Sequence, residues 1–399
     1  MTRAMLIALA PASVLPARAE ADVLRKALAR SPNSSTLRLR LANFLYDLDE
    51  FDDAIALLAA AMRLQLGERH VLAAAYFARH APDDAGRAYD VMRDGMDLAQ
   101  TARERSRVLA QQAKALLRQD RPTEALDLLD EALRLDCCNV MAFKRLAIQR
   151  LRMGDAAAVI ALTDALEQQG VRHSRLFAAR SMAHAMLGDA AQARAVTGIE
   201  ALLYQRLLDP PPGWDSLTDF NAALVGELLD NPAMRYERHG TASLATWRID
   251  ALATADTPAI NSLLAAIAAA AVAHVAALSG SDHPWLAASP DHAIMRSWCV
   301  ITGGAGHEQW HMHPDGWLSG GYYPQVPAPT EAGNDSAGCL EFGLPDGLIG
   351  ASAAEAFGTR LVRPQAGLLT LFPSHAYHRT FPHGADGQRF CIAFDICPA

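Results

Sequence analysis

Histidine is the residue type whose spacing in this sequence points most clearly to chemistry. Six of the 14 histidines fall between residues 307 and 383, and two of them lie in the run Trp310-His311-Met312-His313-Pro314-Asp315. If this run ends a β-strand, the two-residue period places the His311 and His313 imidazoles on one face, where they can share a metal ion. Asp315 lies two residues further on, so a His313/Asp315 pair satisfies the same spacing.

Residues further along the chain could complete such a site. His378 follows the predicted strand and turn 367–374, and Arg389 begins the last predicted strand. A barrel that folds back on itself can bring His378 opposite the early pair, which gives three ligands on one side of a metal and leaves the other side open for chemistry. The planar guanidinium of Arg389 suits bidentate pairing with a ligand carboxylate inside the barrel.

The elements that would position these residues begin at Arg296, where short β-like runs alternate with Gly, Pro and Asp turns. Two helices are predicted before them, at 217–229 and 258–278. This order favours a double-stranded β-helix (jelly roll) with flanking helices. The predicted strands are 296–302, 308–313, 318–323, 339–342, 359–362, 367–372, 377–381 and 389–396.

The earlier part of the chain, from Ser35 to about Val196, has apolar positions at helical spacing and a repeated phrase. Its turns recur at intervals of 34 residues with one interval of 37, at Asp49, Asp83, Asp120, Gly154 and Gly188. The pattern resembles tetratricopeptide repeats, in which small residues let paired helices approach closely. The small positions are Ala42, Ala54, Ala113, Ala125, Ala147, Ala183 and Ala193. The Asp83 unit is degenerate, and an irregular helical bundle is the alternative.

Three consecutive prolines at 210–212 favour an extended connector and predict a domain boundary. The predicted fold class is therefore an α + β two-domain protein. Its parts are an all-α tetratricopeptide-like solenoid at 1–208, a proline-rich linker at 209–215 and the jelly-roll domain at 216–399.

The C-terminal part, from about Asp215 to Ile396, resembles Fe(II)/2-oxoglutarate-dependent oxygenases in which an HxHP element leads into LSG-x-YY. The matching residues are His311-Met312-His313-Pro314 and Leu318-Ser319-Gly320-Gly321-Tyr322-Tyr323, with Phe372-Pro373-Ser374, His378 and Arg389 downstream. The resemblance implies an Fe(II) ion on His313, His378 and either His311 or Asp315. The family motif favours His311, whereas the wider superfamily uses a carboxylate.

The same resemblance implies that Arg389 binds the C5 carboxylate of 2-oxoglutarate and that O₂ is the second cosubstrate. Ser319, Tyr322 and Cys391 are the further cosubstrate contacts that it implies. Tyr322 and Tyr323 alternate along one strand, so only one of them can point into the barrel. Cys391 stands where many relatives have serine, and a thiol is a weaker hydrogen-bond donor than a hydroxyl.

The resulting prediction is a dioxygenase that hydroxylates a C–H bond of a peptidyl, carrier-bound or small amino-acid-like substrate. Repeat solenoids commonly bind proteins or peptides, so the helical repeats are expected to hold that substrate. The alternative is a tetratricopeptide adaptor or scaffold whose cupin-like domain binds metal without turnover.

Composition excludes some partners and favours a compartment. The net charge of −8 disfavours nucleic acid and anionic membrane surfaces as partners, and the six irregularly spaced cysteines favour the reducing cytoplasm. The apolar, alanine-rich run 258–278 is interpreted as a buried helix of a soluble protein. A cleaved signal in the N-terminal apolar stretch is the less favoured reading, because Pro11 and Pro16 interrupt it.

Overall fold

The computed structural model describes residues 5–10, 15–253 and 257–399, which form two compact units. The first, here called the repeat unit, holds Leu15–Met153 and Ala165–Val171. The second, here called the sheet unit, holds the rest of the described chain.

Paired helices make up the chain as far as residue 202. They are α1 (Ala17–Arg30), α2 (Ser35–Asp47), α3 (Phe51–Ala59), α4 (Leu66–Arg79), α5 (Asp84–Arg93), α6 (Ala102–Arg118), α7 (Pro122–Leu135), α8 (Val140–Arg152), α9 (Ala156–Gln168), α10 (Ser174–Met186), α11 (Ala190–Thr197) and α12 (Ile199–Leu202), with a 3₁₀ turn at Met96–Leu98. The predicted helical repeats are confirmed in these pairs.

The turns inside the pairs use a left-handed backbone conformation. Asp49, Asp120, Gly154 and Gly188 have φ values of 64°, 56°, 77° and 83°. In the degenerate unit the turn runs over residues 80–83, as predicted at Asp83, but the left-handed conformation falls on His80, with φ of 61°. Asp83 instead precedes α5 with φ of −93°. A residue in the left-handed conformation ends one helix and redirects the chain into the next.

The small residues singled out in the sequence lie where paired helices approach. Ala42, Ala54, Ala113, Ala125, Ala147, Ala183 and Ala193 are all at most 2% exposed. A larger side chain at these positions would separate the helices, because protein cores are close-packed.

Eleven described strands follow the jelly-roll pattern predicted for the C-terminal part. They are β1 (Leu6–Leu9), β2 (Tyr204–Leu207), β3 (Arg235–Tyr236), β4 (Ser243–Asp250), β5 (His292–Glu308), β6 (Leu318–Gln325), β7 (Leu340–Phe342), β8 (Arg360–Val362), β9 (Leu368–Pro373), β10 (His378–Thr380) and β11 (Arg389–Pro398). The large sheet has the order β2-β9-β6-β11-β5-β4-β3, and the small sheet has the order β10-β7-β8. β1 pairs with β5 in parallel, whereas the remaining pairs are antiparallel.

Two details of the strand prediction are corrected. The strand predicted at 308–313 does not form, because β5 runs on to Glu308 and the chain then contributes only an isolated bridge between His311 and His378. Strands β1, β2, β3 and β4 were not predicted.

The remaining helices are α13 (Leu217–Leu229), α14 (Pro258–Ala277), α15 (Pro284–Ala287), α16 (Ala328–Ala332), α17 (Asp346–Ile349) and α18 (Ala351–Phe357). By length and composition alone, α14 could cross a membrane. In its most apolar stretch of 18 residues, 33% of the residues are buried. Its buried side includes Leu263, Ile267 and Ala271, which join the core cluster behind the large sheet.

The proline-rich segment does not separate the two units. Residues from Arg172 onward already belong to the sheet unit, and β2 pairs with β9 before the prolines are reached. Ser174 Oγ on α10 donates to the Gly316 carbonyl at 2.5 Å, and His375 Nε2 lies 3.1 Å from the Val196 carbonyl at the end of α11. The boundary therefore lies earlier than the predicted linker 209–215, because tertiary contacts and not proline content define the unit.

Two truncations test this boundary. A chain beginning at Gly154 should be soluble and folded, whereas one beginning at Pro210 should aggregate, since it loses β2 and the buried Ile199 and Leu202, worth roughly 1.5–3 kcal/mol each. Both chains lack β1, so the comparison isolates α9 to β2. Circular dichroism and gel filtration measure the outcome, and a folded, monodisperse chain from Pro210 would contradict this assignment.

Candidate functional site

The large sheet forms one wall of a cavity of about 390 Å³ in the sheet unit. Alternation along β11 separates its two faces: Arg389, Cys391, Ala393 and Asp395 line the cavity, whereas Phe390, Ile392, Phe394 and Ile396 join the core on the other side. Because side chains alternate along a strand, only every second residue of β11 can contact a ligand in the cavity.

Two glycines of β6 allow close packing within this wall. A Cβ atom at Gly320 would lie 2.2 Å from the Thr370 carbonyl oxygen, and one at Gly321 would lie 3.1 Å from the Cys391 sulfur. Neither position has room for a larger residue without a shift of its neighbours.

Three histidines converge at one side of the cavity. One ring nitrogen each from His311, His313 and His378 lies within 4.8 Å of the others. His378 begins β10, the main chain of His311 is bridged to it, and the His313 amide donates to the Ser374 carbonyl at 2.9 Å. The backbone pairing therefore holds all three side chains between the two sheets.

Each of these imidazoles already uses Nδ1. Nδ1 lies 2.7 Å from the Gln309 carbonyl in His311, 2.5 Å from Asp395 Oδ1 in His313 and 2.9 Å from the Ala376 carbonyl in His378. Carbonyl and carboxylate oxygens only accept, so each Nδ1 carries a proton and only Nε2 is left to offer a lone pair to a metal. Three free imidazole nitrogens in one place suit a divalent transition metal.

Burial keeps two of the rings neutral. Desolvation, followed by the neighbouring His313, lowers the pKa of His311 to about 3. Desolvation, followed by His311 and His313, lowers the pKa of His378 well below its ordinary value. The neutral imidazole is the form that binds metal, so these residues fit the ion that the sequence implied.

Asp395 is a functional residue that sequence reasoning missed. Its carboxylate accepts from His313 Nδ1 and, at 2.6 Å, from Ser319 Oγ, which in turn contacts Ser374 Oγ at 2.6 Å. A carboxylate behind a ligating histidine fixes the tautomer and raises ligand basicity. Only the register of β11 with β6, which pairs Asp395 with Ser319, reveals this role.

Asp315 is not brought to the metal cluster. Its side chain is 68% exposed, and its carboxylate lies 3.8 Å from Arg296 Nη1 at the cavity rim. Of the two alternatives that the sequence left open, the geometry brings His311 to His313 and His378.

Arg389 lies in the cavity wall with an incomplete set of partners. Arg389 is 3% exposed; its Nη1 donates to the Gly338 carbonyl at 2.6 Å and its Nη2 to Thr380 Oγ1 at 3.5 Å, while Nε is buried without a hydrogen-bond partner. Among the described residues it forms no ion pair with a carboxylate. A buried cation in this state suits an incoming anion, because an unpaired buried charge is costly.

The other predicted cosubstrate residues divide between two faces. Tyr322 points away from the cavity and donates to Asn221 Oδ1 at 2.6 Å, whereas Tyr323 lines it beside Cys391. Desolvation raises the pKa of Cys391 to about 12, so its thiol stays protonated. Ser319 holds Asp395 and does not line the cavity. The prediction of Tyr322 is thus corrected to Tyr323, since the two faces of β6 alternate.

Loss of a histidine ligand should remove metal. His378→Ala should reduce bound Zn(II) or Co(II) to below about a tenth of wild type, since two remaining ligands hold a labile divalent ion poorly. His311→Ala should do the same and Asp315→Ala should not. Metal content after gel filtration, measured by mass spectrometry, decides the matter. Loss in Asp315→Ala with retention in His311→Ala would show that the other ligand pair is correct.

The Asp395 carboxylate should raise the affinity of the site for metal without being a ligand itself. Asp395→Asn should weaken Zn(II) binding about 10- to 100-fold, because the amide keeps the size of the side chain but loses its charge behind His313. Asp315→Asn is the matched control and should change affinity less than twofold. Competition against a chelator measures both, and equal affinities in the two variants would contradict the assignment.

Two family models match parts of this chain. The family described as "Putative 2OG-Fe(II) oxygenase" matches residues 296–395, and the family described as "Tetratricopeptide repeat" matches residues 16–75. The first match spans the three histidines, Arg389 and Asp395. No curated protein matches the chain.

Several solved structures resemble parts of it. A Pseudomonas putida prolyl-4-hydroxylase is 16% identical, with 51% of this chain and 98% of that chain covered and a TM-score of 0.35. The tetratricopeptide-repeat protein YrrB, whose structure is described as having an unusual peptide-binding site, is 16% identical, with 45% and 92% covered and a TM-score of 0.33. The non-heme alpha ketoglutarate dependent epimerase SnoN is 16% identical, with 53% and 84% covered and a TM-score of 0.34. Because each TM-score is below 0.5, no residue role is transferred from them.

Proposed function

For a chain that carries tetratricopeptide repeats and a 2OG-Fe(II) oxygenase domain, we propose a dioxygenase that hydroxylates a C–H bond of a peptidyl, carrier-bound or small amino-acid-like substrate. The reaction converts 2-oxoglutarate, O₂ and R–H into succinate, CO₂ and R–OH. His311, His313 and His378 hold the Fe(II). When bound, this ion with 2-oxoglutarate supplies the oxidising power.

The observation that carries this proposal is the buried, incompletely paired guanidinium of Arg389 in the same cavity as the three histidines. Arg389 binds the C5 carboxylate, since a guanidinium offers two parallel donors to a planar carboxylate. Tyr323 stays protonated because burial raises its pKa, so its hydroxyl can donate to the cosubstrate.

Apolar side chains complete the enclosure of the reacting groups. Val300, Leu340 and Phe372 line the cavity beside the histidines. A water-poor lining strengthens the ionic contact at Arg389 and limits side reactions.

The helical repeats are proposed to hold a protein or peptide partner. α6 and α8 together carry nine basic residues and one acidic residue, whereas α7 between them carries four acidic residues and one basic residue. In a chain with a net charge of −8, this concentration of positive charge on alternate helices favours an acidic partner.

The cytoplasm is the proposed location. All six cysteines are free thiols, and even the adjacent Cys137 and Cys138 have sulfur atoms 4.0 Å apart. Unpaired thiols suit a reducing compartment.

A titration with 2-oxoglutarate tests the role of Arg389. Arg389→Leu, loaded with Zn(II), should lose 2-oxoglutarate affinity by about 30-fold to several thousandfold, since the buried carboxylate would lack its partner. Arg389→Lys should restore part of it. Metal binding should be unchanged, because the guanidinium is not a ligand.

Arg360→Leu is the control, since Arg360 is exposed on β8 and does not line the cavity. Wild-type affinity in Arg389→Leu would place the anchor elsewhere. If wild-type protein with Fe(II) neither binds 2-oxoglutarate nor forms succinate from it, the adaptor alternative is favoured. Mass spectrometry of candidate peptides for the iron-dependent gain of one oxygen would then identify the substrate of an active enzyme.

A further inference from the structure

Two further arginines line the cavity, Arg248 on strand β4 and Arg238 in the segment before it. Arg238, Arg248 and Arg235 surround a single carboxylate, with Arg248 Nε 2.8 Å from Asp250 Oδ1 and Arg238 Nη1 3.2 Å from Asp250 Oδ2. Arg235 Nη2 lies 3.7 Å from the same carboxylate. Arg238 and Arg248 share this one carboxylate, so their combined positive charge exceeds the charge of Asp250.

Arg248 is held in a fixed position with its terminal donors unused. Its guanidinium lies over the Trp298 ring at 4.8 Å, and that ring lies 5.5 Å from the His313 ring. Nε is engaged by Asp250, whereas the two terminal nitrogens make no hydrogen bond to the described residues. The side chain is 14% exposed and lines the cavity. A stacked, mostly buried arginine with free terminal donors is preorganised to receive an anion.

Arg238 adds a second guanidinium at the same wall. It belongs to the segment between β3 and β4, of which Gly240, Thr241 and Ala242 also line the cavity. Its side chain is 27% exposed, so it lies nearer the solvent than Arg248. Glu308 also lines the cavity; its carboxyl accepts from Ser243 Oγ at 2.5 Å, and burial raises its pKa while Arg248 opposes that shift.

These arginines are separate from the proposed cosubstrate anchor. Strand β5 lies between β4 and β11, with Arg248 paired to Val300 and Arg389 paired to Thr302. Two strand spacings place their backbones roughly 10 Å apart across the sheet. One five-carbon diacid bound at Arg389 and the histidines therefore leaves Arg238 and Arg248 unoccupied.

We propose that Arg238 and Arg248 bind a carboxylate of the primary substrate and thereby select acidic substrates, an inference that rests on the proposed function. The carboxylate can come from an acidic side chain of a peptide or from a small free acid. The cavity lies at the small end of the range for ligand pockets, so it admits one side chain or one small molecule beside the cosubstrate.

The test uses the full chain loaded with Zn(II) and saturating 2-oxoglutarate. Calorimetry compares acetyl-Gly-Gly-Glu-Gly-Gly-amide with the same peptide carrying Gln, and N-acetylglutamate is the free-acid arm. The glutamyl peptide should bind about ten- to a hundredfold tighter than the glutaminyl peptide, as expected for hydrogen bonds to charged groups. Binding of the peptide alone identifies a peptide side chain as the source, and tighter binding of the free acid identifies a small molecule.

The variants assign this preference to residues. Arg238→Gln/Arg248→Gln should reduce it to less than about threefold, and Arg248→Gln alone should reduce it in part while disturbing the fold less. Arg235→Gln is the matched control, since Arg235 contacts the same Asp250 but does not line the cavity, and it should keep the full preference.

Equal binding of the two peptides to wild type, or an unchanged preference in the double variant, would overturn the inference. A loss of 2-oxoglutarate affinity in the double variant as large as that in Arg389→Leu would overturn it as well, because the pair would then serve the cosubstrate. If wild type fails to bind 2-oxoglutarate, the proposed function is overturned instead. The preference for glutamate is then measured on the Zn(II)-loaded chain without 2-oxoglutarate.

Discussion

The three histidines can act together only because each has its Nδ1 proton held by the protein. Two of the acceptors are carbonyls of the residue two positions earlier, and the third is the carboxylate of Asp395 on β11. This arrangement directs three Nδ1 atoms to protein acceptors and leaves the three Nε2 atoms for a metal, with one nitrogen of each ring within 4.8 Å of the others. The small sheet supplies His378, its bridge supplies His311, and the large sheet supplies Asp395, so the jelly roll must close before the site exists.

The closed sandwich also holds the polar groups of the cavity at separate positions. Arg389 lies at the start of β11, the histidines lie between the sheets, and Arg248 lies on β4 across β5. Alternation along each strand keeps the aromatic and aliphatic core on the far side, where Tyr322 and Phe394 are fully buried. A packed core on one face thus holds the reacting groups on the other at fixed separations.

Much of this arrangement was predictable from the sequence because local spacing carries it. His311 and His313 follow a two-residue period, and the repeat turns at Asp49, Asp120, Gly154 and Gly188 follow a period of 34. Asp395 and Arg248 were not predictable, since their roles depend on the registers that pair β11 with β6 and β4 with β5. The choice of Tyr323 over Tyr322 depends on which face of β6 is buried. The prolines suggested a linker, but the contacts of α10, α11 and β2 with the sheet decide the boundary.

The central claim is that three neutral imidazoles, and no carboxylate, provide the protein ligands of one metal ion. X-ray absorption spectroscopy of the full chain loaded with one equivalent of Fe(II) or Co(II) under anaerobic conditions tests this directly. We expect outer-shell scattering from three imidazole rings per metal, reduced to two in His311→Ala. Two imidazoles in wild type, with a carboxylate ligand that is lost in Asp315→Ala, would contradict it.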